Sequence, residues 1–367
     1  MKGFLTALIL GSLLAFSVTA QVKNDKERYG LLGQVKTLEM GGIEYTLKDG
    51  KVFEGRRIPI QKITFNTEGN IAELTGYNQD GSISRKSVYT YGSSGKNTGY
   101  EEYSSIFDKT LTVPRRHVYV LDERGNKVEY IGYDSNGTLG NRFFYKYDDT
   151  GNKLEEIFYA WNGALINKIV YAYDGRGNQT MQTVYNGDGS ISSKTVTAYN
   201  SKGSKTEWVQ YVGEILKYKV LYKYDNKGRV IEQETQEFNK EPNVSYSHAP
   251  VPGKIIYTYD DEKKTKEVAT YKEDGALKET VIYTHDGKGN EIGRDVYNAD
   301  GTPKDTEIHF YDKNTLLRTL RGKALVEFEY DSHGNWTRKI HLIKHKNSNK
   351  PDPYGAEYRT ITYLAAL

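Results

Sequence analysis

The chain lacks cysteine and has almost no net charge, and each shortage excludes a class of protein. With 0 Cys in 367 residues there is no disulfide framework and no lipid-attachment cysteine. An exported form would therefore depend on backbone pairing and packing. The 51 Lys+Arg residues face 48 Asp+Glu residues. A nucleic-acid binder normally carries a strong basic excess, so a nucleic-acid partner is not expected.

Purely apolar side chains are also scarce. They make up 37% of the chain even with Tyr counted, against about 45–50% in ordinary globular domains. Tyr occurs 32 times and Phe only 11 times. Tyr is amphipathic and favours a half-buried position. The composition therefore predicts a fold without a thick dry core.

Long hydrophobic runs are absent beyond the first twenty residues. Lys2 precedes an apolar run over residues 4–16, and small residues follow up to Ala20. This pattern predicts a signal peptide over residues 1–20, cleaved after Ala20. The alternative, a membrane anchor, is disfavoured because 13 residues fall short of the ~20 needed to span a bilayer. We expect a protein of the periplasm, the cell surface or the extracellular medium that does not span the membrane.

What the chain does contain is a regular series of turn glycines. From Gly125 to Gly203 their spacing alternates between 12 and 14 residues, which gives a 26-residue unit. The predicted turn glycines are Gly69, Gly81, Gly95, Gly125, Gly137, Gly151, Gly163, Gly177, Gly189, Gly203, Gly275, Gly289, Gly301 and Gly334. Such a period is typical of a repeat array. After a lead over residues 21–30, we expect a single array over residues 31–367.

Two turn sequences alternate in this array. Turn one is Tyr-Asp-x-x-Gly-Asn, as at residues 147–152, and turn two is Tyr-Asn-x-Asp-Gly-Ser, as at residues 185–190. An Asp or Asn side chain can accept a hydrogen bond from the backbone two residues on. Glycine tolerates the positive φ of a type I turn followed by a bulge. Both sequences therefore predict short β-hairpin connections.

The segments between the turns read as strands with mixed faces. Residues 168–173 (KIVYAY) are rich in β-branched and aromatic side chains, yet neither face is cleanly apolar, as a sandwich strand would be. The prediction is an all-β fold, a long antiparallel meander of hairpins forming a thin, coiled or shell-like sheet. Whether that sheet is open or closed is not determined. Residues 25–34 are the one candidate for a short helix.

Three segments interrupt the period. They lie near residues 104–116, 237–253 and 344–357. The second contains three of the 8 prolines, and proline cannot donate a hydrogen bond to a β-ladder. Loops are therefore expected at all three places.

The repeated Tyr-x-Tyr-Asp-x-x-Gly-Asn sequence resembles the tyrosine–aspartate repeat of the RHS/YD-repeat superfamily. It occurs at residues 145–152 and 171–178, and in part at 222–228. Together with residues 32–37 (LGQVKT) and 330–338 (YDSHGNWTR), it makes the chain similar to small exported RHS/YD-repeat proteins of Bacteroidetes. In the large RHS toxins of this superfamily, the repeats form a hollow β shell around a toxin. The resemblance thus implies a β-hairpin array, but no activity.

Residues with catalytic or ligand-binding chemistry follow no recognisable pattern. The Asp and Asn of the turns, as at residues 134–137 and 186–189, lack the twelfth-position carboxylate and flanking helices of an EF-hand. His341 and His345 have zinc-like helical spacing, but they lie in a strand-like stretch without a third ligand. No nucleophile elbow or phosphate loop occurs. We therefore expect no metal, no cofactor and no enzymatic activity.

Tyrosine is the one abundant group with binding potential. Tyr ladders beside Asn, Asp and Lys can hold sugars or extended polymers, although cross-strand Tyr pairing for stability is the favoured interpretation. We expect an exported non-catalytic repeat protein that presents a β surface to envelope proteins or glycans. One alternative is an RHS-like shell or accessory component of a toxin-delivery system. Another is an envelope polysaccharide hydrolase.

Overall fold

A computed structural model describes residues 24–48, 51–106, 109–240, 249–312, 315–321, 324–343 and 352–364. Within these residues the chain forms one short helix and twenty-four strands, all paired antiparallel. The predicted all-β meander of hairpins is confirmed. The predicted signal peptide and the first residues of the lead lie outside the described residues.

The elements follow one another with short connections. In chain order they are α1 (Asp25–Arg28), β1 (Val35–Lys48), β2 (Lys51–Phe65), β3 (Ile71–Tyr77), β4 (Ile83–Tyr91), β5 (Asn97–Ser104), β6 (Arg115–Leu121), β7 (Lys127–Tyr133), β8 (Leu139–Tyr147), β9 (Lys153–Tyr159), β10 (Leu165–Tyr173), β11 (Gln179–Asn186), β12 (Ile191–Tyr199), β13 (Lys205–Val212), β14 (Ile215–Tyr224), β15 (Val230–Glu237), β16 (Gly253–Asp260), β17 (Thr265–Tyr271), β18 (Leu277–His285), β19 (Glu291–Asn298), β20 (Pro303–Asp312), β21 (Thr315–Arg321), β22 (Ala324–Tyr330), β23 (Trp336–Ile343) and β24 (Asp352–Tyr363).

The sheet closes on itself. Each strand pairs with the next one along the chain, and the last strand, β24, also pairs with the first, β1. The register of this closing pair runs from Val35 opposite Tyr363 to Ile43 opposite Ala356. All twenty-four strands therefore have two hydrogen-bonded neighbours, and the sheet has no free edge.

The closed sheet is wide enough to enclose space, because it has twenty-four strands. In the described part of the chain, the strand backbones come close to one another only between hydrogen-bonded neighbours, not across the interior. With strands about 4.8 Å apart, twenty-four of them give a perimeter on the order of 115 Å. Closed sheets of roughly 16–18 strands already leave a water-filled interior. Of the thin, coiled or shell-like sheets expected from the sequence, the structure has one that closes on itself.

The best-packed region is the seam, defined here as β24, β1, β2 and the N-terminal residues 24–34. Leu38 and Ile63 are completely buried there. The seam core contains Leu31, Val35, Leu38, Ile63 and Phe65, with Tyr29, Met40, Ile71, Ile361 and Tyr363 packed against it. The concentration of apolar side chains in the seam core stabilises the pairing of β1 with β24.

The N-terminal segment bridges two turns at the seam. Asn24 caps α1 by accepting a hydrogen bond from Glu27 N at 3.2 Å, as N-cap residues do. Lys26 N donates to Gly69 O at 2.9 Å in the turn after β2. Leu32 N donates to Asn335 Oδ1 at 2.7 Å in the turn before β23. The segment is therefore tied to both sides of the closing strands.

Two expected boundaries differ from the structure. The helix expected over residues 25–34 is limited to Asp25–Arg28. The expected loop over residues 344–357 ends earlier, because β24 begins at Asp352. Pro353 fits in this strand since it lies beside a register shift opposite Leu342, where a missing N–H is tolerated. Residues 344–351 lie outside the described residues.

The other two interruptions lie between strands. One separates β5 from β6 over residues 105–114, and the other separates β15 from β16 over residues 238–252. Residues 107–108 and 241–248 within them are not among the described residues.

Candidate binding surface

The turns have the geometry that their sequences require. The fourteen predicted turn glycines all have φ between +71° and +91°. In turn one, Gly151 N donates to Asp148 O at 3.1 Å, and Asp148 N donates to Asn152 O at 2.9 Å. Asp148 Oδ1 accepts from Thr150 N and Asn152 N at 2.9 and 2.8 Å. Asn152 Nδ2 also donates to Asp148 Oδ2 at 2.9 Å, and this side-chain bond contributes most to lowering the pKa of Asp148 to about 2. The Asp and Asn side chains and the Gly backbone of these motifs are thereby engaged in forming the turn.

The tyrosine that precedes turn one fastens neighbouring hairpins together. Tyr173 Oη donates to Lys153 O at 2.8 Å, and Tyr199 Oη donates to Gln179 O at 3.0 Å. In each case, the accepting carbonyl belongs to the residue that directly follows the preceding turn of the turn-one type. The same bond is formed by Tyr91, Tyr147, Tyr224 and Tyr259. These hydroxyls are therefore committed to the backbone.

Close to turn one, the two faces of the sheet differ in exposure. Residues directly before the turn tyrosines, such as Lys146, Lys223 and Thr258, are exposed. Neighbouring strand residues point to opposite faces, so the turn tyrosines and the residues two positions before them share the other, half-buried face. The seam core lies on that face too. Ile63 is opposite Leu74, and Leu74 is opposite Ser87, which lies four residues before the turn tyrosine Tyr91 and therefore on the same face. We therefore assign the half-buried face to the inside of the closed sheet.

A continuous row of aromatic rings crosses this inner face from β4 to β9. Direct register partners supply most of it: Tyr89 opposite Tyr100, Tyr100 opposite His117, Tyr119 opposite Tyr130, Tyr130 opposite Phe143, and Phe143 opposite Phe158. Neighbouring ring centroids lie 4.2–5.8 Å apart along these contacts and the diagonal one from His117 to Tyr130. We call Tyr89, Tyr100, His117, Tyr119, Tyr130, Phe143, Tyr145 and Phe158 the ring row. Six strands at about 4.8 Å make it roughly 24 Å long.

His117 fixes the middle of the ring row. Its ring stacks on Tyr100 at 4.2 Å and 11°, and its Nδ1 lies 2.6 Å from Tyr130 Oη. Burial lowers the pKa of His117, so the imidazole is neutral at neutral pH. A neutral Nδ1 that accepts from Tyr130 leaves the proton on Nε2. Nε2 is buried and without a hydrogen-bond partner among the described residues.

The ring row presents ring edges and hydroxyl groups to the interior. Some of its rings cover one another's faces, as at Phe143 and Phe158, which stack at 4.4 Å and 4°, whereas Tyr130 and Phe143 meet edge to face. Burial raises the pKa of Tyr145 to about 12, so these hydroxyls stay protonated. Within the described part of the chain, the hydroxyls of Tyr89, Tyr100, Tyr119 and Tyr145 have no hydrogen-bond partner. They are available to a ligand that carries acceptor oxygens.

The histidines and carboxylates do not form a metal centre in the described structure. His341 lies in β23, while His345 and His248 are outside the described residues. His309 Nδ1 lies 3.0 Å from Thr319 Oγ1, and His333 stacks on Tyr363 at 3.9 Å. Among the described residues, no three His, Asp or Glu side chains are placed to hold an ion. No described helix is long and apolar enough to cross a membrane.

Sequence reasoning did not identify the ring row. It treated all tyrosines of the repeat as one class, but the structure separates the turn tyrosine from the one two positions earlier, as with Tyr147 and Tyr145. The available signal was the Tyr-x-Tyr spacing together with tyrosines such as Tyr100 and Tyr130 on the returning strands. Their alignment depends on strand register, which one sequence does not reveal.

Comparison with known proteins gives a limited result. A family model described as "Uncharacterised protein" matches residues 134–249, which is less than half of the chain. No curated protein matches the chain.

Several solved structures are similar to the chain at low identity. The crystal structure of TcdB2-TccC3-TEV is 10% identical, covering 88% of this chain and 21% of that chain, at a TM-score of 0.28. A porin-like protein from Bacteroides uniformis ATCC 8492 is 11% identical over 90% of this chain and 99% of that chain, at 0.20. Transferrin Binding Protein B (TbpB, mutant Trp-176-Ala) from Haemophilus parasuis Hp5 is 9% identical over 90% and 75%, at 0.15. The chain spans about a fifth of the length of the TcdB2-TccC3 chain. At these TM-scores the similarities assign neither fold nor function to this chain.

Proposed function

We propose that this chain is an exported, non-catalytic RHS/YD-type repeat protein that binds an extended glycan along the ring row. Export is inferred from the predicted signal peptide, and its site of action would be the bacterial envelope or the medium. We propose that the protein is non-catalytic because its sequence contains no recognisable catalytic motif. Incubation with envelope polysaccharides should release no shorter products.

One observation supports the proposal most directly. The ring row offers four hydroxyls without a described protein partner, spread from β4 to β8 over roughly 19 Å of sheet. A tyrosine that only stabilised the sheet would bury its ring or bond its hydroxyl to the backbone, as Tyr173 does. Glycans carry closely spaced acceptor oxygens and apolar ring faces, which match hydroxyls beside aromatic edges. The length of the row favours an oligomer over a single sugar.

The proposal is tested with the purified mature chain on arrays of bacterial capsular and cell-wall oligosaccharides. We expect retention that grows with oligomer length. A triple variant, Tyr89→Phe, Tyr100→Phe and Tyr119→Phe, keeps the rings but removes three hydroxyls. At about 0.5–1.5 kcal/mol per lost hydrogen bond, it should bind at least tenfold more weakly.

Tyr185→Phe is the matched control. Tyr185 is opposite Lys168 in register, and Lys168 is opposite Ile157, which places Tyr185 on the outer face. This variant should bind like the wild type. Failure of every oligosaccharide to bind, or equal binding by the triple variant, would contradict the proposal.

Closure of the sheet supports a second candidate, a shell that shields a polypeptide. The pairing of β24 with β1 leaves no free edge, so a chain held inside would be reached only through the ends. This candidate predicts that the protein, isolated from its host, carries one defined polypeptide that resists protease until the shell is unfolded. Isolation without such a polypeptide, together with glycan binding, would favour the first candidate.

A further inference from the structure

Arg359 lies on the inner face of the seam and stacks on an aromatic ring. Its Cζ lies 3.9 Å from the centroid of the Trp336 ring. Its register partner in β1 is Met40, which packs against the seam core. Burial lowers the pKa of Arg359 to about 10, so the guanidinium remains charged at neutral pH. A partly desolvated cation of this kind calls for a compensating anion.

The described residues supply no such anion. Arg359 forms no ion pair and no hydrogen bond with them, and its buried Nε has no partner. Glu357, whose charge acts on Arg359, is already engaged: Lys339 Nζ donates to its Oε1 at 2.8 Å, and His341 Nε2 lies 3.1 Å from the same oxygen. Stacking on the Trp336 face compensates only part of the charge. The donors of the guanidinium edge are left unused.

Further cations lead from Arg359 towards the ring row. Arg359 is opposite Met40, which is opposite Gln61; Gln61 is opposite Gly76, which is opposite Arg85. The two arginines therefore share one line across the inner face, about 19 Å apart over four strand spacings. Arg85 acts electrostatically on Tyr89 of the ring row.

Lys127 adds a third cation beside the row, with its Nζ 3.5 Å from the Tyr119 ring centroid. Neither Arg85 nor Lys127 has an ion-pair partner in the described part of the chain. The acidic Glu102 on this face lies opposite Arg115. Asp25 and Glu102 also act electrostatically on Tyr89, so the path from the seam to the ring row carries both cations and acidic groups.

We propose that Arg359, held flat by Trp336, binds a carboxylate of the glycan, so that the ligand of this protein is an acidic, uronate-containing polysaccharide. This inference rests on the proposed glycan binding and specifies its substrate class. A planar guanidinium can donate two parallel hydrogen bonds to one carboxylate. Arg85 and Lys127 then meet further carboxylates along the same polymer.

The test titrates the mature chain with oligosaccharides of galacturonate, alginate and hyaluronan, and with their methyl esters. Esterification removes the charge and keeps the sugar chain. We expect at least one acidic oligosaccharide to bind about tenfold or more tightly than its ester, with a preference that falls as salt rises. Arg359→Gln should abolish the preference, and Arg359→Lys, which keeps the charge but not the planar fork, should retain part of it.

Arg57→Gln is the matched control. Arg57 also stacks on a partly enclosed aromatic ring of β24, with its Cζ 5.1 Å from the centroid of Tyr358, which is buried beside Ile43 and Ala356. Because Tyr358 and Arg359 are adjacent in the strand, this ring lies on the opposite, outer face. Arg57→Gln should leave the preference unchanged. Thermal unfolding of each variant checks that it folds. If Arg359→Gln does not fold, the inference is tested by the partial loss of the acid preference in Arg359→Lys and by the salt dependence of that preference.

The outcomes separate this inference from the proposed function. Equal binding of acid and ester, binding of neutral glycans only, or a preference that survives Arg359→Gln would overturn the acidic ligand and leave glycan binding standing. Failure to bind any oligosaccharide, acidic or neutral, would overturn both.

Discussion

At the scale of single residues, tyrosine has two separate tasks in this fold. The turn tyrosine, such as Tyr173, donates its hydroxyl to a backbone carbonyl of the neighbouring strand. The tyrosine two positions earlier, such as Tyr145, points to the same face but leaves its hydroxyl free among the described residues. The first use joins hairpins and the second provides the ring row. This division explains how a chain with few purely apolar side chains combines stability with a binding surface.

Tyr173→Phe tests the structural task. The substitution keeps the ring and removes the hydrogen bond to Lys153 O, which leaves that carbonyl without its donor. We expect a loss of about 0.5–1.5 kcal/mol in the free energy of unfolding, measured by urea denaturation. Tyr185→Phe, on the outer face, should change stability less. Equal effects of the two variants would show that the hydroxyl bond contributes nothing.

Glu357 makes the seam sensitive to acid. Hydrogen bonds from His341 and then Lys339 lower the pKa of Glu357 from 4.5 to about 2. Since the pKa is depressed in the folded state, the stabilisation is present above pH 4.5 and lost as the pH falls towards 2. Glu357→Gln should therefore be less stable than the wild type at neutral pH, with the difference shrinking in acid. Unfolding free energies measured across this range check it, and a difference that grows in acid would contradict it.

At the scale of the hairpin, each turn is specified almost entirely by its own sequence. Asp148, Gly151 and Asn152 close turn one with bonds among themselves and Thr150. The bulge that follows shifts the register by one residue, as between Lys146 and Tyr147. Repetition of this local unit sets the length of the strands that lie between two regular turns.

The turn glycines can be tested with a matched pair. Gly151 has φ +91°, whereas Gly175, in the next turn of the same type, has no positive φ. No atom lies within 4 Å of a Cβ added at either glycine. Gly151→Ala should cost about 1–2 kcal/mol, because only backbone strain opposes it. Gly175→Ala should change the free energy of unfolding by less than about 0.5 kcal/mol. A similar loss for both variants would mean that φ is not the cause.

Because turns are local, the hairpin meander could be predicted from the sequence, and the ring row could not. The spacing of Gly151, Gly163 and Gly177 is visible in the printed chain. The stacking of His117 on Tyr100 is not, because it depends on the register across the irregular connection of residues 105–114. The motif places one tyrosine directly before the turn and one two positions earlier, but it does not show which of the earlier tyrosines have an aromatic register partner.

At the scale of the whole molecule, closure turns a repeat array into a container. The pairing of β24 with β1 joins residues more than 300 positions apart, such as Thr37 and Thr362. No local pattern encodes this contact. It is stabilised by the seam core around Leu38 and Ile63, both completely buried. An inner face, and with it an enclosed ring row, exists only because these two strands meet.

Closure is tested most directly by a disulfide across the seam. Thr37 and Thr362 are register partners with their Oγ1 atoms 2.6 Å apart, a separation compatible with disulfide geometry. The chain has 0 Cys, so the double variant Thr37→Cys/Thr362→Cys has a single possible intramolecular link. Thr37→Cys/Thr197→Cys, with the second cysteine in β12, serves as the control.

On mild oxidation, the seam variant should form a monomeric cross-link in high yield, and fragments from a protease cut in the middle of the chain should stay joined until reduction. The control should keep its thiols. Free thiols or only intermolecular dimers in the seam variant would contradict a closed sheet, and with it the enclosed binding surface.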